Sequence, residues 1–147
     1  MAETEQQKKT MTLEVVNPYE VFFEGRVESV VIPALDGQLA VYPGHSPLVV
    51  AVTPGIAHFV ADGQEKSFVI SEGFAEIGHR VVVIVCNAAE WPEKIDENRA
   101  QAALSRASAR FNDVTQTEEQ RVYARHAMRR AKVRLKMVEE YKKSKED

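Results

Sequence analysis

Arg99, Arg106 and Arg110 fall seven and four residues apart, a spacing that places three guanidiniums on one face of a helix. Further along, Arg130 and Arg134 form an i, i+4 pair, with Arg125, Arg129, Lys132 and Lys136 on the opposite flank of the same helical period. Arginine offers a planar fork of donors that matches two phosphate oxygens at once. Like charges one turn apart repel weakly in a bare helix, and an anion between them removes that repulsion. Polyphosphate recognition is therefore the chemistry this pattern suits. A plainer account stays open, in which the arginines are solvated or paired with Glu118, Glu119 or Glu139.

No other constellation suggests a reaction. The sequence has no nucleophile motif, no glycine-rich phosphate loop and no paired carboxylates at a recognisable spacing. His45, His58, His79 and His126 are isolated, and the single Cys86 lies in the apolar run "VVVIVC" without a histidine at metal-ligand spacing. Cys86 is expected to be a buried, inert thiol. His45 is expected to order the turn from Pro43 to Pro47 or to touch a partner, and His58 to sit in a strand with its ring satisfied.

Two kinds of sequence position these residues. Up to Trp91 the chain is a series of short Val-, Ile- and Phe-rich runs broken by turn signals: "TLEVV", "YEVFFE" ending at Gly25, "RVESVVI" ending at Pro33, "QLAVY", "PLVVAV", "IAHFVA", "KSFVIS", "FAEIG" and "RVVVIVC". Asp62-Gly63 is the strongest hairpin signal. No helical period interrupts the series, so the spacing predicts an antiparallel β-sandwich or flattened barrel. Pro92 then stops the ladder, and nothing from residue 93 onward is glycine or proline.

Asp96 is an N-cap candidate with Glu97 in the first turn. Apolar residues at 100, 103, 104, 107 and 111 make one stripe of a first helix of roughly 24 Å. "NDVTQT" breaks it, and Thr117 with Gln120 reads as a capping box. A second helix of roughly 36 Å carries Ala124, Ala127, Met128, Ala131, Leu135 and Val138 on one face. The fold class is α+β, an N-terminal antiparallel β-sandwich followed by an antiparallel two-helix hairpin. The expected divisions are a disordered, polar leader at 1–10, a docking sandwich at 11–91 and a regulatory hairpin at 92–147. Because the stripes are mostly alanine, which buries little area, the hairpin should form but hold weakly.

Charge separates the same two parts. Residues 1–92 hold 12 acids against 5 bases, and residues 93–147 hold 10 acids against 14 bases. The two parts therefore prefer different partners. The leader lacks the apolar stretch of a signal peptide, and no apolar run is long enough to span a bilayer, so no direct membrane insertion is expected.

From Met11 to Lys143 the chain resembles the epsilon subunit of F-type ATP synthases, including its bacterial members. Three stretches carry the likeness: "DGQLAVYPGHSPLVVAVTPG" at 36–55, "IDENRA" at 95–100 with Glu90 five residues before it, and "RRAKVRL" at 129–135. Two positions depart from the family pattern: Gln38 stands where the family has glutamate, and Ala40 where it has glycine. In the family that glutamate faces the membrane rotor ring.

The resemblance implies a non-catalytic central-stalk subunit that couples the gamma subunit to the c-ring, peripheral to the cytoplasmic face of the cell membrane. It implies that the hairpin is a movable arm that extends toward the catalytic beta subunits and inhibits ATP hydrolysis. No cofactor is required, and ATP is implied as a regulatory ligand at Glu90, Ile95, Asp96, Arg99, Ala100, Arg106, Arg130 and Arg134. Partner contacts fall at Gln38, Tyr42 and His45, and at Arg125, Arg129, Lys132 and Lys136 toward acidic surface. The rival reading is a nucleic-acid-binding module using the basic second helix. The acidic β-part and the scarcity of aromatic residues for stacking argue against it.

Overall fold

The computed structural model describes residues 9–146, and the chain divides into two compact units after Ala89. Residues 1–8 of the expected leader lie outside the described residues. Thr10 is buried, and the Arg26 guanidinium donates to its Oγ1 at 2.8 Å and to its carbonyl at 3.2 Å.

The first unit is built from nine strands, β1 (Met11–Val16), β2 (Val21–Val27), β3 (Ser29–Ala34), β4 (Gly37–Val41), β5 (Leu48–Val52), β6 (Gly55–Ala61), β7 (Gln64–Ile70), β8 (Gly73–Ile77) and β9 (Val81–Cys86), and a two-residue tenth strand, Ala89–Glu90, spans the division between the units. They hydrogen-bond in the order β7-β6-β3-β5-β8-β9-β1-β2, with β4 paired to β3. All pairs are antiparallel except β1 and β9, which run parallel from Thr12–Val81 to Val16–Val85. These two strands are far apart in sequence, so no hairpin dictates their direction.

Alternation supplies the core. β1 buries Met11, Leu13 and Val15, and β9 buries Val82, Ile84 and Cys86. The sheet curls until β2 stacks on β6 and β7 through aromatic rings. Phe23 lies 4.5 Å from Phe59 and Phe22 lies 5.2 Å from Phe68, centroid to centroid. Tilted pairs at such distances are favourable beyond the area they bury. Cys86 is 3 % exposed, and burial pushes its thiol up to about 11, which keeps it protonated and unreactive at neutral pH.

The strand boundaries differ from the sequence reading at two points. Gly25 and Pro33 were expected to end strands, yet each lies inside one. The Phe23 ring lies over Gly25, at 3.0 Å from where a Cβ would stand. Pro33, which has no N–H, sits where β3 changes neighbours. β6 pairs only with Ser29–Val31 and β5 takes over at Ala34, while the Pro33 carbonyl accepts from Thr53 N at 3.1 Å. The Asp62-Gly63 hairpin forms as expected, with φ of +53° and +74°, the left-handed pair a two-residue type I′ turn demands.

The second unit starts at Glu90. A single 3-10 turn, Pro92–Lys94, leads into α1 (Glu97–Asn112), and a five-residue loop leads into α2 (Glu118–Glu146). Asp96 caps α1, its Oδ1 accepting from Arg99 N at 3.0 Å. In the loop the Asp113 carboxylate accepts from Thr115 N and Oγ1, which holds its carboxyl below the usual carboxylate value. The capping box is complete: Thr117 Oγ1 accepts from Gln120 N at 3.1 Å, and Gln120 Oε1 accepts from Thr117 N at 2.9 Å. The buried residues of α1 are Ala100 and Ala107, and those of α2 are Ala124, Ala131, Met137 and Val138.

α2 has 29 residues, about 44 Å, and outruns the expected 36 Å. Its last turns, "EEYKKSKE", contain good helix formers and a Glu139–Lys143 pair at 3.3 Å, and nothing breaks the backbone.

Two stability outcomes follow from these contacts. A Cβ on Gly73 would stand 1.9 Å from the Val85 carbonyl oxygen. Gly73→Ala should therefore cost roughly 1–3 kcal/mol in urea unfolding of the sandwich. Thr117→Ala should destabilise α2 by about 1 kcal/mol, read as faster hydrogen exchange at residues 118–124 with no change in β9.

Candidate functional site

The turn Pro92–Lys94 sets the geometry of the helical unit. Trp91 is extended (φ −73°, ψ 147°), Pro92 opens the turn and Ile95 N donates back to the Pro92 carbonyl. This short connection presents Glu90 to α2. Arg134 donates to Glu90 Oε1 from Nε at 2.7 Å and from Nη2 at 2.6 Å. The Glu90 side chain is 25 % exposed and that of Arg134 39 %, so the pair is only partly screened by solvent.

Around that pair lies a cavity of about 270 Å3, lined by Glu90, Lys94, Asp96, Arg99, Arg106 and Arg134. Five of the eight residues expected to meet a nucleotide are thus brought together. Ile95 is half-buried and does not line the cavity. Ala100 is fully buried, so its side chain serves the packing stripe. Arg130 lines a second cavity of about 690 Å3, which shares Ala103 and Arg106 with the first. The two cavities adjoin because Arg130 stands one turn of α2 nearer the loop than Arg134.

The sequence reading had not assigned Lys94, Gln116, Gln120 or Tyr123 to a ligand. Lys94 is carried by the 3-10 turn, which leaves no periodic signal, and the other three reach the groove only because the loop folds back. Arg110 was legible, since it already lay on the face of Arg99 and Arg106. No pairing of Glu118 or Glu119 with these arginines is present among the described residues, and Glu139 pairs with Lys143 instead.

The other flank of α2 forms a shallow depression of about 320 Å3, where Arg125, Arg129, Lys132 and Lys136 surround Met128 and Val133. All four cations are exposed. At one end of the hairpin Arg121 lies over the Phe111 ring at 5.0 Å and donates to its carbonyl, and elsewhere Lys142 meets Glu97 at 2.7 Å.

In the sandwich, Gln38 on β4, next to the β3–β4 turn that carries the exposed Leu35, and Tyr42 past the other end of β4 are exposed, Tyr42 by 62 %. His45 Nδ1 lies 2.6 Å from the Ser46 carbonyl, and Gly44 N donates to the His79 carbonyl, so this turn is held both locally and by the β8–β9 connection. His58 Nδ1 is satisfied by Ser67 Oγ at 2.6 Å, with Glu65 at 3.4 Å. Among the described residues no group of His, Cys, Asp or Glu is placed to hold a metal ion.

Comparison with known proteins places this architecture. Residues 10–92 match the family model described as ATP synthase, Delta/Epsilon chain, beta-sandwich domain. Residues 93–139 match ATP synthase, Delta/Epsilon chain, long alpha-helix domain. The chain is 39 % identical over 134 residues to the ATP synthase epsilon chain of Caldanaerobacter subterraneus subsp. tengcongensis, covering 90 % of this chain and 96 % of that one. It is 41 % identical to that of Ruminiclostridium cellulolyticum over 127 residues, 86 % and 93 % of the two chains.

Among solved structures it resembles a chain of the Euglena gracilis mitochondrial ATP synthase (OSCP, F1 and c-ring), with a TM-score of 0.75 and 26 % identity over 84 % of this chain and 78 % of that one. A chain of the Tetrahymena thermophila mitochondrial ATP synthase central stalk and c-ring shares the fold, with a TM-score of 0.59 and 12 % identity, covering 92 % and 99 %. With the two family models matching residues 10–139 without a gap, the chain belongs to the ATP synthase delta/epsilon chain family.

Proposed function

We propose that the chain is a non-catalytic central-stalk subunit of an F-type ATP synthase. Its sandwich joins the gamma subunit to the c-ring, and its helical unit restrains ATP hydrolysis by the catalytic beta subunits. The observation that carries this reading is the match of sandwich and helices, in that order, to the two domains of one family.

The surfaces suit such a part. Across the sheet, Ala51, Phe74, Val85 and Val16 are register neighbours on β5, β8, β9 and β1, and Phe74 is 48 % exposed. A row of this kind gives a stalk partner an apolar seat. The exposed Gln38 of β4, Tyr42 just after it and the half-buried His45 offer a second surface, suited to the c-ring. Gln38 brings no charge to it, so contact there relies on shape and on the exposed apolar groups. No helix among the described residues is long and apolar enough to cross a membrane. In this reading the protein is peripheral, held at the cytoplasmic face of the cell membrane through its partners.

The helical unit supplies regulation. Its buried residues are four alanines with Met137 and Val138 on α2, a modest apolar area to oppose separation of the helices. The exposed cations at 125, 129, 132 and 136 then face acidic surface on a beta subunit. Between these cations lie Met128 and Val133 and no aromatic ring, which suits a protein surface better than stacked bases. ATP is the regulatory ligand: the base lies at the mixed-charge end near Glu90 and Asp96, and the phosphates run toward Arg99 and Arg106. Binding there ties both helices together and favours the closed hairpin.

Truncation after Pro92 should leave assembly and ATP synthesis intact in the reconstituted enzyme but raise its ATP hydrolysis several-fold. Unchanged hydrolysis removes the inhibitory role. Titration of the full-length chain with MgATP by calorimetry should saturate below about 5 mM and weaken roughly tenfold in Arg99→Ala. A flat titration removes the nucleotide ligand.

A further inference from the structure

Arg121 stands in an unfavourable place for its own helix. It belongs to the opening turn of α2, its N–H donating to the Thr117 carbonyl, and there the helix dipole disfavours a cation. Its two predecessors at the start of that helix, Glu118 and Glu119, carry the charge the position favours. The side chain of Arg121 instead reaches back across the loop to the end of α1. Its Nε donates to the Phe111 carbonyl at 3.2 Å, and its guanidinium lies 5.0 Å from the centroid of the Phe111 ring. Phe111 is the penultimate residue of α1, so its carbonyl is one of those that a helix leaves without an internal partner, at the negative end of the dipole. The cation thus complements the C-terminus of the neighbouring helix. The other side-chain bonds of this loop are local: Asp113 accepts from Thr115 and Gln116, and Gln120 accepts from Thr117. None of these joins one helix to the other.

We infer that Arg121 is a positioning residue that biases the hairpin toward its closed form through its double hold on the Phe111 carbonyl and ring. Both contacts exist only while the end of α1 faces the start of α2. On opening, the carbonyl returns to water, the ring loses its cation, and Arg121 is left against the positive end of its own helix. Together the two contacts should shift the equilibrium between closed and open hairpin roughly tenfold. The bias needs no ligand, so it is present in the free chain. Only its effect on ATP hydrolysis rests on the movable-arm reading.

The test is amide hydrogen exchange of the full-length, ligand-free chain. Arg121→Gln should speed exchange roughly tenfold at residues 104–111 of α1, with β9 unchanged. Arg121→Lys keeps the charge without the planar fork and should fall between the two. Arg125→Gln, one turn along α2, should leave these amides as they are. A role confined to α2 predicts the opposite sign, because removing a cation from a helix N-terminus slows local fraying at 118–124 and leaves α1 unaffected. That result overturns the inference, as does an equal effect of Arg125→Gln. In the reconstituted enzyme, Arg121→Gln should lower ATP hydrolysis by freeing the arm. Faster exchange at 104–111 with hydrolysis unchanged by both Arg121→Gln and truncation supports the bias and counts against the inhibitory arm. Hydrolysis raised by truncation, with exchange unchanged in Arg121→Gln, leaves the arm standing and overturns the bias.

Discussion

The helical unit depends on how small the side chains at its seam are: four of its buried residues are alanines, joined by Met137 and Val138. Ala100 and Ala107 on one helix and Ala124 and Ala131 on the other allow close approach of the two backbones. Larger residues would hold the helices further apart and pull Arg99, Arg106 and Arg110 away from Arg130 and Arg134. The same small residues bury little apolar area, so the arrangement that builds the cationic groove also limits its stability. Polar contacts compensate only in part. The Glu97–Lys142 pair is more than half exposed and worth little, and the Asp96 and Thr117 caps fix where each helix begins without tying one to the other.

The sandwich works on the opposite principle. Phe59 and Phe68 are buried almost completely, β1 is hydrogen-bonded on both sides, and the Gly73 backbone is pressed against β9. Deletions of atoms or additions of a methyl group there are felt directly. A rigid, acidic body and a lightly held basic one within a single chain suit a division of labour, in which one part keeps its place and the other responds.

Much of this was legible in the residues. Nine apolar runs became nine strands, because turn chemistry at Asp62-Gly63 and strand alternation such as that of Met11, Leu13 and Val15 act locally. The caps at Asp96 and Thr117 were equally local. What escaped depends on distant neighbours. Pro33 looks like a strand end until β3 is seen to change partners there, and the parallel pairing of β1 with β9 joins segments some seventy residues apart. In the candidate site, helical periodicity placed the arginines on the right flanks. It could not show that Glu90 takes up Arg134 while Arg130 faces the next cavity, because that distinction is set by the 3-10 turn at Pro92.

The unequal helices have a mechanical consequence. α2 is an uninterrupted rod of 29 residues attached through a five-residue loop to a partner of 16. A tilt of only about ten degrees at the loop carries its far end through about 8 Å, given the 1.5 Å rise per residue. The hairpin is thus a lever with a short fulcrum. Slight loosening near Asp113–Thr117 is magnified into a displacement wide enough to separate a side chain from its neighbour.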